Sequence, residues 1–333
     1  MFKCIIIKLK SLFWPCIICS FIIFLLVFSN TNLVAAKTGL SLWANSVLPS
    51  LLPFFIATEL LGYTTVISYC GKILNKLMRP IFNVPGEGAF ALIMGIISGY
   101  PVGAKIVANL KEQHLCSDIE AERLIAFTNN SGPLFIIGTV GVSMFSSVSL
   151  GMLLFLCHLL SSLTVGFLFR WWKFSKEKKL RDSTYSNQSS TLSFYNLGEL
   201  LSKSIVNSIS TVLLIGGFVV LFSIIISILN TSGFLHILSS QLFNLLGIPE
   251  NISLGFFMGA IEITNGLSFI TTLPAESLNF KLVFASLILG FGGFSVLLQV
   301  LSITSKAKIS IKPYFWGKLL QSILAAFFTF LFI

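Results

Sequence analysis

Long apolar runs recur along the whole chain, and short polar stretches separate them. The longest runs cover 12–28, 213–229 and 319–333, and each approaches the roughly 20 residues with which a helix crosses a bilayer. This pattern is typical of an all-α polytopic membrane protein whose exterior faces lipid. It predicts an integral protein of the bacterial cell membrane.

The first apolar run follows three lysines and resembles a secretory signal. Val34-Ala35-Ala36 would provide the small residues of a cleavage site. The run 12–28 is long for the apolar part of a signal, however, and the small residues lie well beyond its end. Residues 1–40 are therefore interpreted as an N-terminal anchor helix.

One long polar stretch, 173–196, divides the rest of the chain into two halves. Its basic residues favour a cytoplasmic location, as in other membrane proteins. Aligning 94–134 with 258–298 without gaps gives nine identical residues in forty-one positions. This similarity predicts an internal repeat, with one Gate-like copy in 41–172 and the other in 197–333.

The placement of basic residues predicts that the two halves are inverted relative to each other. Lys72, Lys76 and Arg79 follow the first span of the first half, whereas Lys306 and Lys308 precede the last span of the second half. Inward-facing loops carry such charges, so each half is predicted to hold three transmembrane helices and one re-entrant hairpin. With the anchor helix, the chain would cross the bilayer about seven times. The predicted spans are 42–61, 122–142, 150–171, 197–229, 281–304 and 314–333, with re-entrant segments at 86–109 and 252–272.

Four apolar segments are interrupted by glycine, proline or polar residues. Irregular backbone at membrane depth persists only where protein buries it or where it lines a wet cavity, and transporters pair such breaks across inverted halves to build a site. Small residues also permit close helix packing, so a structural role is the alternative. The candidate substrate-binding residues are Ser98, Gly99, Tyr100, Pro101, Lys105, Asn129, Asn130, Ser131, Glu262, Thr264, Asn265, Gly292, Gly293, Ser295 and Gln299.

Three charged residues carry separate expectations. Glu262 lies inside an apolar segment, where an ionisable group is costly to bury and usually marks a pathway or a proton relay; a structural hydrogen bond to a neighbouring helix is the alternative. Glu59 is a second carboxylate of this kind. Lys105 would either attract an anion or extend from a helix end to the membrane surface.

Other patterns predict structural roles. Ser117 and Glu120 form the capping-box pattern that begins a helix, and the charged residues of 111–123 are interpreted as a solvated cytoplasmic turn. The aromatic residues expected at the membrane interface, because they lie at predicted span ends, are Trp171, Trp172, Tyr314 and Trp316.

Composition narrows the function classes. Only 10% of the residues are charged, against roughly 25% in a soluble domain, and the net charge of +10 comes from short clusters that form no continuous nucleic-acid-binding face. The chain lacks the nucleophile-elbow, metalloprotease and phosphate-loop motifs. These features predict a non-enzymatic protein without metal or cofactor, apart from a coupling proton or cation, that moves a small polar or anionic molecule across the bilayer.

Four segments together resemble one known family. They are SGYPVGAKIVANL (98–110), FTNNSGPLFIIGTVG (127–141), GAIEITNGL (259–267) and GFGGFSVLLQ (290–299). In this order they resemble the YlbJ family of sporulation integral membrane proteins, also called SpoVV, which carries the nucleoside-recognition Gate domain. The resemblance implies a location in the outer forespore membrane of an endospore-forming bacterium and a role in passing dipicolinic acid toward the spore. It also implies a fold similar to that of concentrative nucleoside transporters.

The resemblance makes the site prediction more specific. Dipicolinate is a flat, doubly anionic pyridine, so Asn129–Ser131, loop N–H groups and Lys105 are expected to bind it. Glu262 is then expected to bind a coupling proton or cation, or to fix the opposite hairpin through hydrogen bonds. A membrane scaffold or regulatory subunit of a sporulation complex and a nucleoside transporter stay open as alternatives. The expected partners are the bilayer, the anionic solute and, for assembly, a second copy or other sporulation membrane proteins.

Overall fold

The computed structural model describes residues 2–174, 196–274 and 278–333, and every regular element in them is helical. Most of the predicted linker lies outside the described residues. The first segment contains α1 (Phe2–Val27), α2 (Ser29–Leu42), α3 (Leu48–Gly62), α4 (Val66–Phe82), α5 (Gly88–Ser98), α6 (Val102–Glu112), α7 (Asp118–Thr128) and α8 (Val148–Phe169), with π-helices at Trp43–Val47 and Leu134–Met144. The second segment contains α9 (Leu197–Thr231), α10 (Phe234–Leu246), α11 (Glu250–Ile261), α12 (Ile263–Thr271), α13 (Leu278–Phe291), α14 (Gly293–Lys306) and α15 (Lys312–Phe332).

The described elements follow the same order in both segments. Each segment has a long stretch of helix (α2 to α3, or α9), a shorter helix (α4 or α10), two broken helix pairs and a final long helix (α8 or α15). The broken pairs are α5–α6, α7 with the second π-helix, α11–α12 and α13–α14. The interruptions within these pairs are called the first, second, third and fourth break, in this order. Element order does not test the predicted repeat boundaries or the inverted orientation of the halves, which stay predictions.

Within the described residues, four helical stretches are long and apolar enough to cross a membrane: α8, α9, the α13–α14 pair and α15. A fifth candidate, 12–45, bends by 99° between α1 and α2. The sequence predicts about seven crossings. The difference arises because the first π-helix interrupts the predicted span 42–61, and the segment between α7 and the second π-helix divides the predicted span 122–142.

The N-terminal segment is not a single anchor helix. At the bend after α1, the side chain of Asn32 donates a hydrogen bond to the carbonyl oxygen of Phe24 at 3.1 Å. Gly39 then lets α2 pack closely on α9, since a Cβ there would lie 2.7 Å from the Ser223 hydroxyl oxygen. The predicted anchor segment thus forms two helices, and 29–40 lie in the second, which packs on α9.

The predicted solvated turn is also wrong in part. The capping box is confirmed, with the Glu120 amide donating to the Ser117 hydroxyl at 3.3 Å and the Glu120 carboxylate accepting from the Ser117 amide at 2.8 Å. Glu120 nevertheless is buried and pairs with Arg79 of α4. Arg123 is buried as well and donates to the Trp172 carbonyl oxygen at 2.7 Å. These charges are buried because α7 packs against α8, and Arg79 and the Trp172 carbonyl oxygen provide a partner for each.

Candidate functional site

The four breaks meet around one cavity of about 70 Å³. Apolar side chains from the first π-helix, α3 and α9 form one wall, and residues of the breaks form the other. Seven of the fifteen candidate residues line it: Gly99, Tyr100, Ser131, Glu262, Thr264, Ser295 and Gln299. The remaining lining residues are Val47, Leu51, Gly132, Phe135, Ile215, Val219, Ile263 and Val296.

The break between α5 and α6 touches two of the others. Gly99 has a left-handed φ of +83°, a conformation that favours glycine. A Cβ on Gly99 would also lie 3.0 Å from the Gly132 nitrogen, so the first and second breaks are in close contact. The hydroxyl of Tyr100 donates to the Leu289 carbonyl oxygen at 3.1 Å, which joins the first break to α13.

The second break is held from behind the cavity by two asparagines. Asn129 accepts a hydrogen bond from the Ala104 amide at 3.3 Å and donates one to the Tyr314 hydroxyl at 3.2 Å. Asn130 donates to a carbonyl oxygen at the end of α7 at 2.7 Å. Both side chains are buried and neither lines the cavity. Ser131 is the residue of this trio that reaches it.

The third break is organised by Glu262, which ends α11 and begins α12. Its Oε2 accepts hydrogen bonds from the Asn265 backbone and side-chain nitrogens, each at 2.8 Å, and so caps one of the free amides at the start of α12. The Asn265 side chain also donates to the Ser223 hydroxyl of α9 at 3.0 Å. Among the described residues, Glu262 is the only carboxylate lining the cavity. It therefore combines a structural capping role with a position at the site.

The fourth break depends on two consecutive glycines. Gly292 and Gly293 have φ values of +81° and +82°. A Cβ on Gly292 would lie 3.0 Å from the Tyr100 hydroxyl, and one on Gly293 would lie 3.1 Å from a carbonyl oxygen of α11. The fourth break thus fits between the first and the third. Beyond it, Gln299 donates to the Ser295 hydroxyl at 3.4 Å, and both residues line the cavity.

Sequence reasoning missed a buried polar cluster that α15 brings behind the second break. Lys318 Nζ donates to Gln321 Oε1 at 2.7 Å and to Asn130 Oδ1 at 3.4 Å, and Gln321 Nε2 donates to Asn130 Oδ1 at 3.0 Å. The sequence signal was a lysine inside the predicted final span. Tyr314, expected at the membrane interface, is instead buried, because its hydroxyl meets the second break.

Lys105 lies in a second cavity, also of about 70 Å³, which shares no described lining residue with the first. It pairs with Glu59 and donates to the Thr211 hydroxyl at 3.3 Å. Because Glu59 neutralises it, Lys105 does not supply positive charge to the first cavity. Two further candidates, Ser98 and Pro101, do not line the first cavity; Ser98 shares a hydrogen bond of 3.2 Å with a threonine of α3.

The lining indicates what the first cavity can bind. No lysine or arginine is among its described lining residues, and the described part of the chain holds no group of three or more metal-ligating side chains. Hydroxyl and amide groups come from Ser131, Thr264, Ser295 and Gln299, and most of the other lining residues are apolar. This combination suits a small solute with a flat apolar face and polar edges. The volume of about 70 Å³ is well below the roughly 300–1,000 Å³ of small-molecule sites, so the breaks must separate to admit a metabolite.

Comparison with known proteins places this fold. The family described as "Gate: Nucleoside recognition" matches residues 44–169. A solved structure of CNTnw in an inward-facing substrate-bound state covers 91% of this chain and 84% of its own, with a TM-score of 0.52 at 14% identity. Two CNTnw variants in an outward-facing state each cover 92% of this chain and 85% and 83% of their own, at 14% and 15% identity, with TM-scores of 0.48 and 0.49. The match to the inward-facing structure shows that the fold is similar to that of a concentrative nucleoside transporter.

A sequence relative is more informative about the family. The sporulation integral membrane protein YlbJ of Bacillus subtilis (strain 168) is 38% identical over 334 residues, which cover 95% of this chain and 82% of the relative. The resemblance of the four broken segments is thereby confirmed over almost the whole length. The chain is an integral membrane protein and belongs to the YlbJ family of sporulation integral membrane proteins.

Proposed function

We propose that this protein transports a small aromatic carboxylate across the outer forespore membrane. Dipicolinate is the proposed substrate. The observation that supports the proposal is the meeting of four broken helices around one cavity. Transporters with this kind of broken helix bind their solutes where helix ends and loop amides are exposed at membrane depth. The solute would pass by alternating access as the breaks separate on one side and then on the other.

The chemistry of the lining supports a flat solute with polar edges. The apolar wall, which includes Leu51 and Val219, suits the face of an aromatic ring, and the hydroxyl and amide groups of the lining suit carboxylate oxygens and a ring nitrogen. Charge-assisted hydrogen bonds to carboxylates are about twice as strong as neutral ones. A few such contacts would therefore select an aromatic carboxylate.

Glu262 gives the proposal a coupling step. A carboxylate at the cavity repels a dianionic solute as long as both are ionised. Uptake of a proton by Glu262 removes this repulsion, and its cap on α12 links protonation to the position of the third break. We therefore propose that a proton accompanies the solute.

Uptake of labelled dipicolinate into proteoliposomes tests the proposal. Wild-type protein should show saturable uptake, and Gln299→Ala should reduce it while the protein stays folded in the membrane. Gly217→Ala is the matched control, because Gly217 lies on α9 where an added Cβ meets no atom within 4 Å. Absence of uptake by folded wild-type protein under every imposed gradient would overturn the proposal and favour a scaffold or regulatory subunit.

Nucleoside transport is the second candidate function. The description of the matching family and the fold shared with a CNTnw structure favour it. Unlabelled uridine added in excess separates the two candidates. Saturable uptake of labelled uridine that excess dipicolinate does not reduce would move the assignment to nucleosides.

A further inference from the structure

The last helix, α15, packs closely against the helices that lead into the second and the fourth break. A Cβ on Gly317 would lie 2.6 Å from the Ala126 carbonyl oxygen of α7, and a Cβ on Gly290 of α13 would lie 2.5 Å from the Ser322 Cα of α15. These close approaches place α15 against the ends of both α7 and α13. Lys318, next to Gly317, is thereby held beside the second break, where it donates to Asn130 Oδ1 at 3.4 Å.

Lys318 is a buried lysine without an anionic partner among the described residues. Its side chain is 1% exposed, and it forms no ion pair with any residue in the described part of the chain. An ammonium group has three N–H donors, and hydrogen bonds to neutral oxygens of Gln321 and Asn130 use two of them. An ammonium group at this depth is costly without a counter-charge, so a carboxylate that reaches Lys318 would stabilise its charged form.

One side chain connects Lys318 to the cavity. Tyr100 lines the cavity, and Lys318 Nζ lies over the Tyr100 ring, 5.1 Å from its centroid. The neighbour of Asn130, Ser131, also lines the cavity. A cavity that must expand to admit a solute can therefore reach Lys318 by displacing the Tyr100 ring, which exchanges a cation–π contact for an ion pair.

We propose that Lys318 is the residue that recognises a carboxylate group of the solute. The proposal rests on the proposed function and names the source of positive charge that the lining of the cavity lacks. Asn130 and Gln321 orient the ammonium group, and Tyr100 covers it until the solute enters. The class of ligand is an organic anion whose carboxylate projects from a flat ring, as in a pyridine or benzene carboxylate.

Calorimetric titration of the full-length protein in detergent with two probes tests this assignment. The probes are dipicolinate and its uncharged diamide, pyridine-2,6-dicarboxamide, which has nearly the same shape. Wild-type protein should prefer the dianion by at least about tenfold, and Lys318→Gln should lower dipicolinate affinity about ten- to a hundredfold, as expected for one charged hydrogen bond. Affinity for the diamide should stay unchanged in both proteins.

A second variant keeps the test open if Lys318→Gln does not fold. Gln321→Glu retains the lysine and the side-chain shape but places a carboxylate where Lys318 already donates at 2.7 Å, so it should abolish the preference for dipicolinate. Lys281→Gln is the matched control. Lys281 is also buried, but it donates to the Thr271 carbonyl oxygen at 3.2 Å and does not line the cavity, so its loss should leave the preference intact.

The outcomes separate this assignment from the transport proposal. A preference for the dianion that survives in the folded Lys318→Gln or Gln321→Glu protein, or that is absent from the wild type, overturns the role of Lys318. A preference that depends on Lys318 in a protein that moves no solute into liposomes leaves the assignment standing and overturns transport. Normal dipicolinate uptake by Lys318→Gln leaves the transport proposal standing and overturns the role of Lys318.

Discussion

Replacing Gly103 by alanine should push α6 away from the second break. A Cβ on Gly103 would lie 2.2 Å from the Thr128 carbonyl oxygen and 2.9 Å from the Asn129 Cα. Both are backbone atoms, which cannot rotate away. Because real Cβ contacts are essentially never below 3.0 Å, α6 must retreat by about 1 Å, and overpacking of this kind costs about 1–3 kcal/mol. The better helix propensity of alanine offsets about 1 kcal/mol.

We therefore expect Gly103→Ala to lose up to about 2 kcal/mol of stability and to lose dipicolinate binding, because the neighbouring Ala104–Asn129 hydrogen bond is displaced. Thermal unfolding in detergent and calorimetric titration measure the two effects. Gly217→Ala should leave binding unchanged and raise stability by up to about 1 kcal/mol. Stability and binding that match the wild type in Gly103→Ala would refute the close packing of α6 on the second break.

Three other substitutions test separate parts of the account. Glu262→Gln keeps an oxygen that can cap α12, so the protein should fold, but dipicolinate uptake should no longer respond to an imposed pH gradient; an unchanged response would exclude proton coupling through this residue. Tyr314→Phe leaves the Asn129 amide without its partner and should cost about 1–3 kcal/mol in thermal unfolding, whereas wild-type stability would mean that this contact is dispensable. Lys105→Gln should leave dipicolinate affinity within about twofold, because Glu59 already neutralises the lysine; a loss similar to that expected for Lys318→Gln would return Lys105 to the site.

The positions of the breaks could be predicted because they depend on local chemistry. Positive φ values at Gly99, Gly292 and Gly293 are conformations that glycine adopts more readily than any other residue. The capping box at Ser117 is local in the same sense, since both of its hydrogen bonds lie within one helical turn. Patterns that span only a few neighbouring residues can be recognised in the sequence. The expectation that the breaks mark a site was based on such patterns.

The environment of each side chain could not be predicted, because it is set by contacts between distant segments. Lys105 and Lys318 both lie in or beside apolar stretches, yet one meets Glu59 and the other meets only neutral groups. Arg123 was interpreted as solvated because its neighbours in sequence are charged, but it is buried and donates to carbonyl oxygens just beyond the ends of α4 and α8. Asn130 was expected to face the solute, but α15 occupies its amide oxygen. Each difference reflects a helix that packs from far away in the chain.

The measurement that tests the central claim most directly is a cryo-electron microscopy structure of the protein with dipicolinate bound. We predict density for the solute between the four breaks, in contact with Ser131 and Gln299, with one carboxylate directed toward Lys318 and the Tyr100 ring displaced. Solute density in the second cavity beside Lys105, or four breaks that stay packed together in a dipicolinate-saturated protein without any solute density among them, would contradict the account.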